Sequence, residues 1–171
     1  MEIRIRKAAV EDAAAIAYVQ VESWRSTYAG IIPEAYIASL NVEVRTEKWK
    51  ALFDSGKAHF FVAEDESGIF GFVCGGELSE PIEGYDGELR AIYLLRERQR
   101  QGVGRLLAQT LAKALRAEGC KSIVAWVLEE NPAVSFYQRL GGVEIARKLV
   151  EIGGAPLSEL AFGWPTLDSG S

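Results

Sequence analysis

Gln99-Arg100-Gln101-Gly102-Val103-Gly104 separates two runs of opposite character. Residues 89–95 before it are apolar and strand-like. Residues 103–115 after it repeat apolar side chains at helical spacing. The order is therefore strand, glycine turn, helix. Glycine lets a backbone approach a ligand closely, and the first N–H groups of a helix have no partner within it. Those groups and the helix dipole favour a phosphate. The pattern fits a phosphorylated cofactor, but glycine at such a turn also serves packing alone, and the residues by themselves leave both readings open. Two other phosphate motifs do not fit. A P-loop needs Lys then Ser or Thr after its second glycine, and here Arg105 and Leu106 follow. A dinucleotide fingerprint needs three glycines, and only two are present.

The rest of the chain alternates strands and helices. Ile3 and Ile5 alternate with charges, as in a half-buried strand. Residues 11–28 carry Ala14, Ala15, Ala17, Tyr18, Val21 and Trp24 near helical spacing. Gly30 and Pro33 end that helix, and residues 33–40 and 44–53 read as two shorter ones. Residues 60–63 and 69–73 flank Asp65-Glu66-Ser67-Gly68 as a hairpin. Residues 79–87 form a loop and 88–95 a strand; 103–118 form a helix ended near Gly119. A strand over 122–128 leads to a short helix over 131–140, with Asn131 as N-cap and Pro132 in its first turn. Two final strands, 143–151 and 157–162, surround Gly153-Gly154. Residues 166–171 are small and polar, a frayed tail. No repeat or linker interrupts residues 1–171, so the expectation is one α/β (α+β) domain around a mixed sheet.

A chain of 171 residues can bury a core on its own. The net charge of −5 argues against nucleic acid and is compatible with a cationic acceptor, though mild negative charge also simply aids solubility. One His and two separated cysteines, Cys74 and Cys120, suggest neither a zinc centre nor a disulfide framework. No metal is expected. No leader-like core opens the chain and no apolar run is long enough for a membrane span, so a reducing cytoplasm is the expected location.

With these elements in place, Gln99-x-x-Gly102-x-Gly104 resembles the Q/R-x-x-G-x-G/A motif of the GCN5-related N-acetyltransferases. Phe136-Tyr137-Gln138-Arg139-Leu140-Gly141 resembles that family's F-Y-x-x-L-G signature, and Ile92-Tyr93-Leu94 the end of its fourth strand. The resemblance covers roughly the C-terminal half of the chain. Two departures stand out. Asn131 lies one residue closer to Tyr137 than is common in the family, and Gly142 stands where the family often has Phe.

The resemblance implies a mixed, mostly antiparallel central sheet flanked by helices. It also implies acetyl-coenzyme A as cosubstrate and direct attack by an amine without an acyl-enzyme. Gln99, Arg100, Gln101, Gly102, Val103, Gly104 and Arg105 would form the pyrophosphate cradle, with Arg100 and Arg105 adding charge. Backbone groups of Ile92, Tyr93 and Leu94 would pair with the pantetheine arm, and one N–H there would polarise the thioester carbonyl. Asn131 would contact the pantetheine amides or act only as the N-cap. By residue type Tyr137 is a core aromatic beside Phe136; the signature implies a general acid for the leaving thiolate. Glu88 sits where histone acetyltransferases of the family carry a catalytic glutamate, which implies a general base. A merely solvated Glu88, with Glu129, Glu130, Tyr93 or water as base, stays open. Relatives that carry the base on the next strand would place it near Trp126, which cannot titrate.

Trp24, Arg25, Tyr28 and the Gly30-Ile31-Ile32-Pro33 turn lie where the family shapes its acceptor pocket. Trp24 reads as core and Tyr28 as pocket. His59 has no partner visible in the sequence, and Trp49 reads as helix packing. The expected partner is a small-molecule amine, with no nucleic acid or membrane, and the resemblance allows a homodimer. A non-catalytic acyl-coenzyme A sensor, a protein N-terminal acetyltransferase and a ligand-free interaction domain are the competing readings.

Overall fold

A computed structural model describes residues 2–164; the expected tail, 166–171, lies outside the described residues. Seven strands form one sheet in the order β1-β2-β3-β4-β5-β7-β6. They are β1 (Arg4–Lys7), β2 (Ala58–Asp65), β3 (Gly68–Gly76), β4 (Gly87–Leu94), β5 (Ile123–Leu128), β6 (Val143–Ile152) and β7 (Ala155–Trp164). The helices are α1 (Ala13–Thr27), α2 (Glu34–Ala38), α3 (Val42–Ser55), α4 (Val103–Ala117) and α5 (Ala133–Arg139). Every strand pair is antiparallel except β4 with β5. The expected architecture, a mostly antiparallel mixed sheet flanked by helices, is the one observed.

Helical and strand periodicities meet across the two faces. On α4, Val103, Leu107, Leu111 and Leu115 recur every fourth residue and are fully buried. They pack with Phe136 and Tyr137 of α5 on Leu89, Ile123, Ala125 and Phe162 of the sheet. Burying each such leucine contributes about 1.5–3 kcal/mol. On the other face, Ile16 and Val19 of α1 and Trp49 and Phe53 of α3 cover Phe60, Val62, Phe72 and Cys74. Trp49 is the packing residue its position suggests. It meets Phe60 and Phe72 edge-on and donates its indole N–H to Gln20 Oε1 of α1 at 2.9 Å. Gly142 leaves room for Trp164, because an added Cβ would meet that indole at 2.7 Å. Trp164 thus fills the space where a family Phe was missed.

Two irregularities open the middle of the sheet. The parallel β4–β5 ladder runs only from Gly87–Ile123 to Leu89–Ala125. Beyond it the strands part, and no ladder pair occupies the β5 side of residues 90–94. At the same point β4 carries a bulge, since Cys74 faces Ala91 while Gly75 faces Leu89, leaving Arg90 extra. A bulge bends its strand and re-aims the side chains after it. Here Glu88, Ala91 and Tyr93 come to share one face of the sheet, and Leu89, Ile92 and Leu94 the other.

Candidate active site

The parted strands form one wall of a cleft of about 410 Å³. It gathers Trp24 and Tyr28 of α1 and its end, Glu88, Ile92 and Tyr93 of β4, Asn131, and Tyr137 of α5. Seven of the residues singled out by sequence therefore share one space. The turn that precedes α4 lies outside the cleft and is joined to its rim. The Gln99 side-chain amide donates to the Leu94 carbonyl at 3.1 Å, and Ser23 Oγ of α1 donates to the same oxygen at 3.4 Å.

The turn has the conformation a backbone anion site requires. Gly102 is left-handed (φ 81°) and caps α4. A Cβ there would meet nothing within 4 Å, so the space before the first turn is open. Arg100 is also left-handed, at φ 67°, the sole non-glycine residue with positive φ among the described residues. A non-glycine residue held there costs about 1–2 kcal/mol. Gly104 has a second role: a Cβ would lie 3.2 Å from the Phe136 ring, so α4 and α5 meet closely at this glycine. Arg105 lines a different, smaller cavity with Arg139, Leu140 and Trp164.

Glu88 is buried, at 6% exposure, and is not the solvated residue its loop-side position allowed. Its Oε1 accepts two hydrogen bonds from Ser79, from the N–H and from the hydroxyl, both at 2.7 Å. A buried carboxylate fixed through one oxygen leaves the other for a proton in transit. Tyr137 packs among Phe136, Phe162 and Trp164. Burial, then the neighbouring Tyr93 and Tyr28, push its phenol above the ordinary range. Tyr28 is raised by burial first and Tyr93 likewise. All three phenols are proton donors at neutral pH.

Tyr28, read as a pocket residue, is 4% exposed, and Trp24, read as core, is half-buried. Both line the cleft. The Trp24 N–H donates to the Tyr93 hydroxyl at 2.9 Å, tying α1 to β4. Asn131 does two things. Its Oδ1 accepts from the Ala133 N–H at 2.8 Å, one residue ahead of the N-cap, which is Pro132 and not Asn131 as expected, because α5 starts only at Ala133; its Nδ2 donates to the Tyr28 hydroxyl at 2.7 Å. His59 lies elsewhere, 2.6 Å from Glu118 of the segment after α4. Cys74 is fully buried, which pushes its thiol up to about 12.

Sequence reasoning did not single out Ser79, Glu80, Arg90, Lys148 or Glu159, which also line the cleft. Lys148 and Glu159 face each other across the β6–β7 hairpin. They stand equally far from Gly153-Gly154, both at positive φ as a two-residue hairpin turn needs, so this pair carried a sequence signal. Lys148 Nζ lies 4.3 Å from the Trp126 ring centroid, pairs with Glu80, and is 3.6 Å from Glu159. Two buried donors on this wall, Arg90 Nε and Trp126 Nε1, have no hydrogen-bond partner among the described residues. No group of three or more His, Cys, Asp or Glu side chains among the described residues is placed to hold a metal. No helix among them is long and apolar enough to cross a membrane.

Known proteins resemble this chain in sequence and fold. The family model "Acetyltransferase (GNAT) family" matches residues 18–142. An uncharacterized N-acetyltransferase of Bacillus subtilis (YuaI) is 46% identical over 98% of this chain and 95% of its own length. A spermidine N(1)-acetyltransferase of Thermoplasma acidophilum is 31% identical over 82% of this chain and 88% of its own. The crystal structure of a PaiA N-acetyltransferase from Thermoplasma acidophilum in complex with coenzyme A superposes with a TM-score of 0.70 at 28% identity, covering 94% of this chain and 98% of that one. The family match over residues 18–142 and these relatives together show that this chain belongs to the acetyltransferase (GNAT) family as an acetyl-coenzyme A-dependent N-acetyltransferase.

Proposed function

We propose that the protein moves the acetyl group of acetyl-coenzyme A to the primary amine of a small molecule by direct attack, with both substrates bound together. The observation that carries this reading is the parting of β4 from β5, which puts Glu88 and Tyr137 in one cleft whose wall is unpaired β4 backbone. The residues fit the cosubstrate. N–H groups from Arg100 to Arg105, with open space at Gly102, hold a pyrophosphate at the start of α4. Arg100 and Arg105 add positive charge. The free edge over Ile92, Tyr93 and Leu94 takes the pantetheine arm as an added strand, and Asn131 is within the same cleft to meet its amides. The cosubstrate supplies a thioester whose carbonyl is open to attack.

The chain's own groups then manage two protons. Glu88 takes one from the incoming ammonium, directly or through water, through the carboxylate oxygen that Ser79 leaves free. Tyr137 donates one to the departing sulfur, and the second proton lost by the attacking nitrogen restores the phenol, directly or through water. Trp24 and Tyr28 form the aromatic side of the acceptor site. The carboxylates of Glu80, Glu88 and Glu159 favour a cationic acceptor, as does the relative named for spermidine acetylation. The β6 edge, with Leu149 77% and Val143 60% exposed, is the surface for a homodimer.

Calorimetric titration with acetyl-coenzyme A, beside a Gly102→Glu, Gly104→Glu double variant, tests the reading. We expect micromolar binding by the wild type, loss in the variant, and amine-dependent thiol release. Binding without release against any amine would leave a sensor module instead.

A further inference from the structure

An ammonium already sits at the acceptor end of the cleft, and it belongs to the protein. Lys148 reaches from β6 over the Trp126 face at 4.3 Å. It is paired with Glu80 and lies 3.6 Å from Glu159. Two carboxylates and an indole face are the groups that recognise an alkylammonium. Lys148, Glu80, Glu159 and Trp126 all line the space that also holds Glu88 and Tyr28. The Lys148 side chain keeps 38% exposure and that of Glu80 45%, so the ion pair is wet and its hold weak. Three carboxylates, Glu80, Glu88 and Glu159, share the cleft with two cations, Arg90 and Lys148.

We propose that Glu80, Glu159 and Trp126 form the subsite for a second ammonium of a linear di- or polyamine acceptor, and that Lys148 competes for it as a built-in occupant. This rests on the acetyltransferase reading above. The reacting amine lies beside Glu88, and the distal ammonium displaces Lys148 into solvent. Lys148 is then a specificity-determining residue: it lowers affinity for every dication by the fraction of time it fills the cage and leaves monoamines untouched.

The test is a titration of the coenzyme A-bound protein with a series of linear α,ω-diamines and the matching alkylmonoamines. Wild type is compared with Lys148→Ala, with Lys148→Met, which keeps the apolar stem over Trp126, and with Lys148→Arg. If Lys148 fills the cage most of the time, its removal tightens diamine binding by about tenfold or more, as expected when a competing state is emptied. Monoamine affinity stays within about twofold, and Lys148→Arg keeps the wild-type pattern. Unchanged or weaker diamine binding in both the Ala and Met variants overturns the proposal, as does equal tightening of both amine classes. Binding needs no turnover, so this outcome is independent of wild-type thiol release with a monoamine, which reads the acetyltransferase activity by itself.

Discussion

Glu88 and Tyr137 enter the cleft from different elements, and each is held by a different kind of contact. The Tyr137 ring is wedged among three aromatic rings, and its hydroxyl makes no hydrogen bond among the described residues. Tyr137→Phe therefore keeps the packing and removes only the hydroxyl proposed as the proton donor. We expect kcat to fall by about 10²-fold with KM for acetyl-coenzyme A unchanged and the melting temperature within a few degrees. Because burial raises the phenol, the proposed acid stays protonated to at least its ordinary value of about 10, and kcat should not decline from this group below that pH. Steady-state thiol release across pH checks both statements. Glu88→Gln keeps a Ser79 acceptor and loses the proposed base, so kcat should drop by a similar factor of about 10² while folding persists. Equal rates for wild type and variant would move the base to Glu159 or water.

Gly104 and Gly102 stand two residues apart and do different work at the level of elements. An added Cβ at Gly104 meets the Phe136 ring, whereas at Gly102 it meets nothing but must adopt a left-handed backbone. Either substitution by Ala should cost about 1 kcal/mol, by crowding in one case and by strain in the other. The two causes separate in a Phe136→Leu background. There most of the Gly104→Ala cost disappears and the Gly102→Ala cost persists, as denaturant unfolding of the double variants will read. Elements of this kind were largely legible in the sequence. The glycine turn, the α5 signature and the hairpin at Gly153-Gly154 are local, and local chemistry dictates them. The parting of β4 and β5 was not legible, because it is missing pairing, and missing pairing leaves no residue pattern. Nor was the Arg90 bulge, whose single extra residue hides inside an apolar run. Ser79 and Glu80 come from the loop before β4, and their place beside Glu88 and Lys148 depends on how that loop returns. Trp24 and Tyr28 lie four apart on or just beyond one helix, and only docking on β4 and Asn131 decided which ring stayed open.

The whole molecule hangs on how the short parallel ladder is closed at its base, since the notch opens from there. Asp86 precedes β4, and its carboxylate accepts from the N–H groups of Lys121 and Ser122 and from the Ser122 hydroxyl, each at 3.0 Å. Ser122 returns the contact by accepting from the Asp86 N–H at 3.0 Å. These bonds join the start of β4 to the start of β5 across one half of the sheet and the other. Burial pushes the Asp86 carboxyl up, but the donors from Lys121 and Ser122 outweigh it and hold it below its ordinary value. A carboxylate depressed in the folded state stabilises the fold above its unfolded pKa of about 3.9, and that contribution is lost as pH falls through the folded value. Asp12 and Glu64, depressed by hydrogen bonds from Arg6, add to the same acid limb; Glu159, raised by burial, acts in the opposite direction. Asp86→Ala should thus lower unfolding free energy at pH 7 by about 1 kcal/mol, the exposed side chain keeping the figure small. The gap between wild type and variant should close as pH drops from about 5 towards 2, while both keep the slope that Asp12 and Glu64 supply. Urea unfolding across that range decides it. A gap that stays constant with pH would mean that Asp86 acts through shape alone, and that the base of the notch is held by the ladder from Gly87 to Leu89 without its charge.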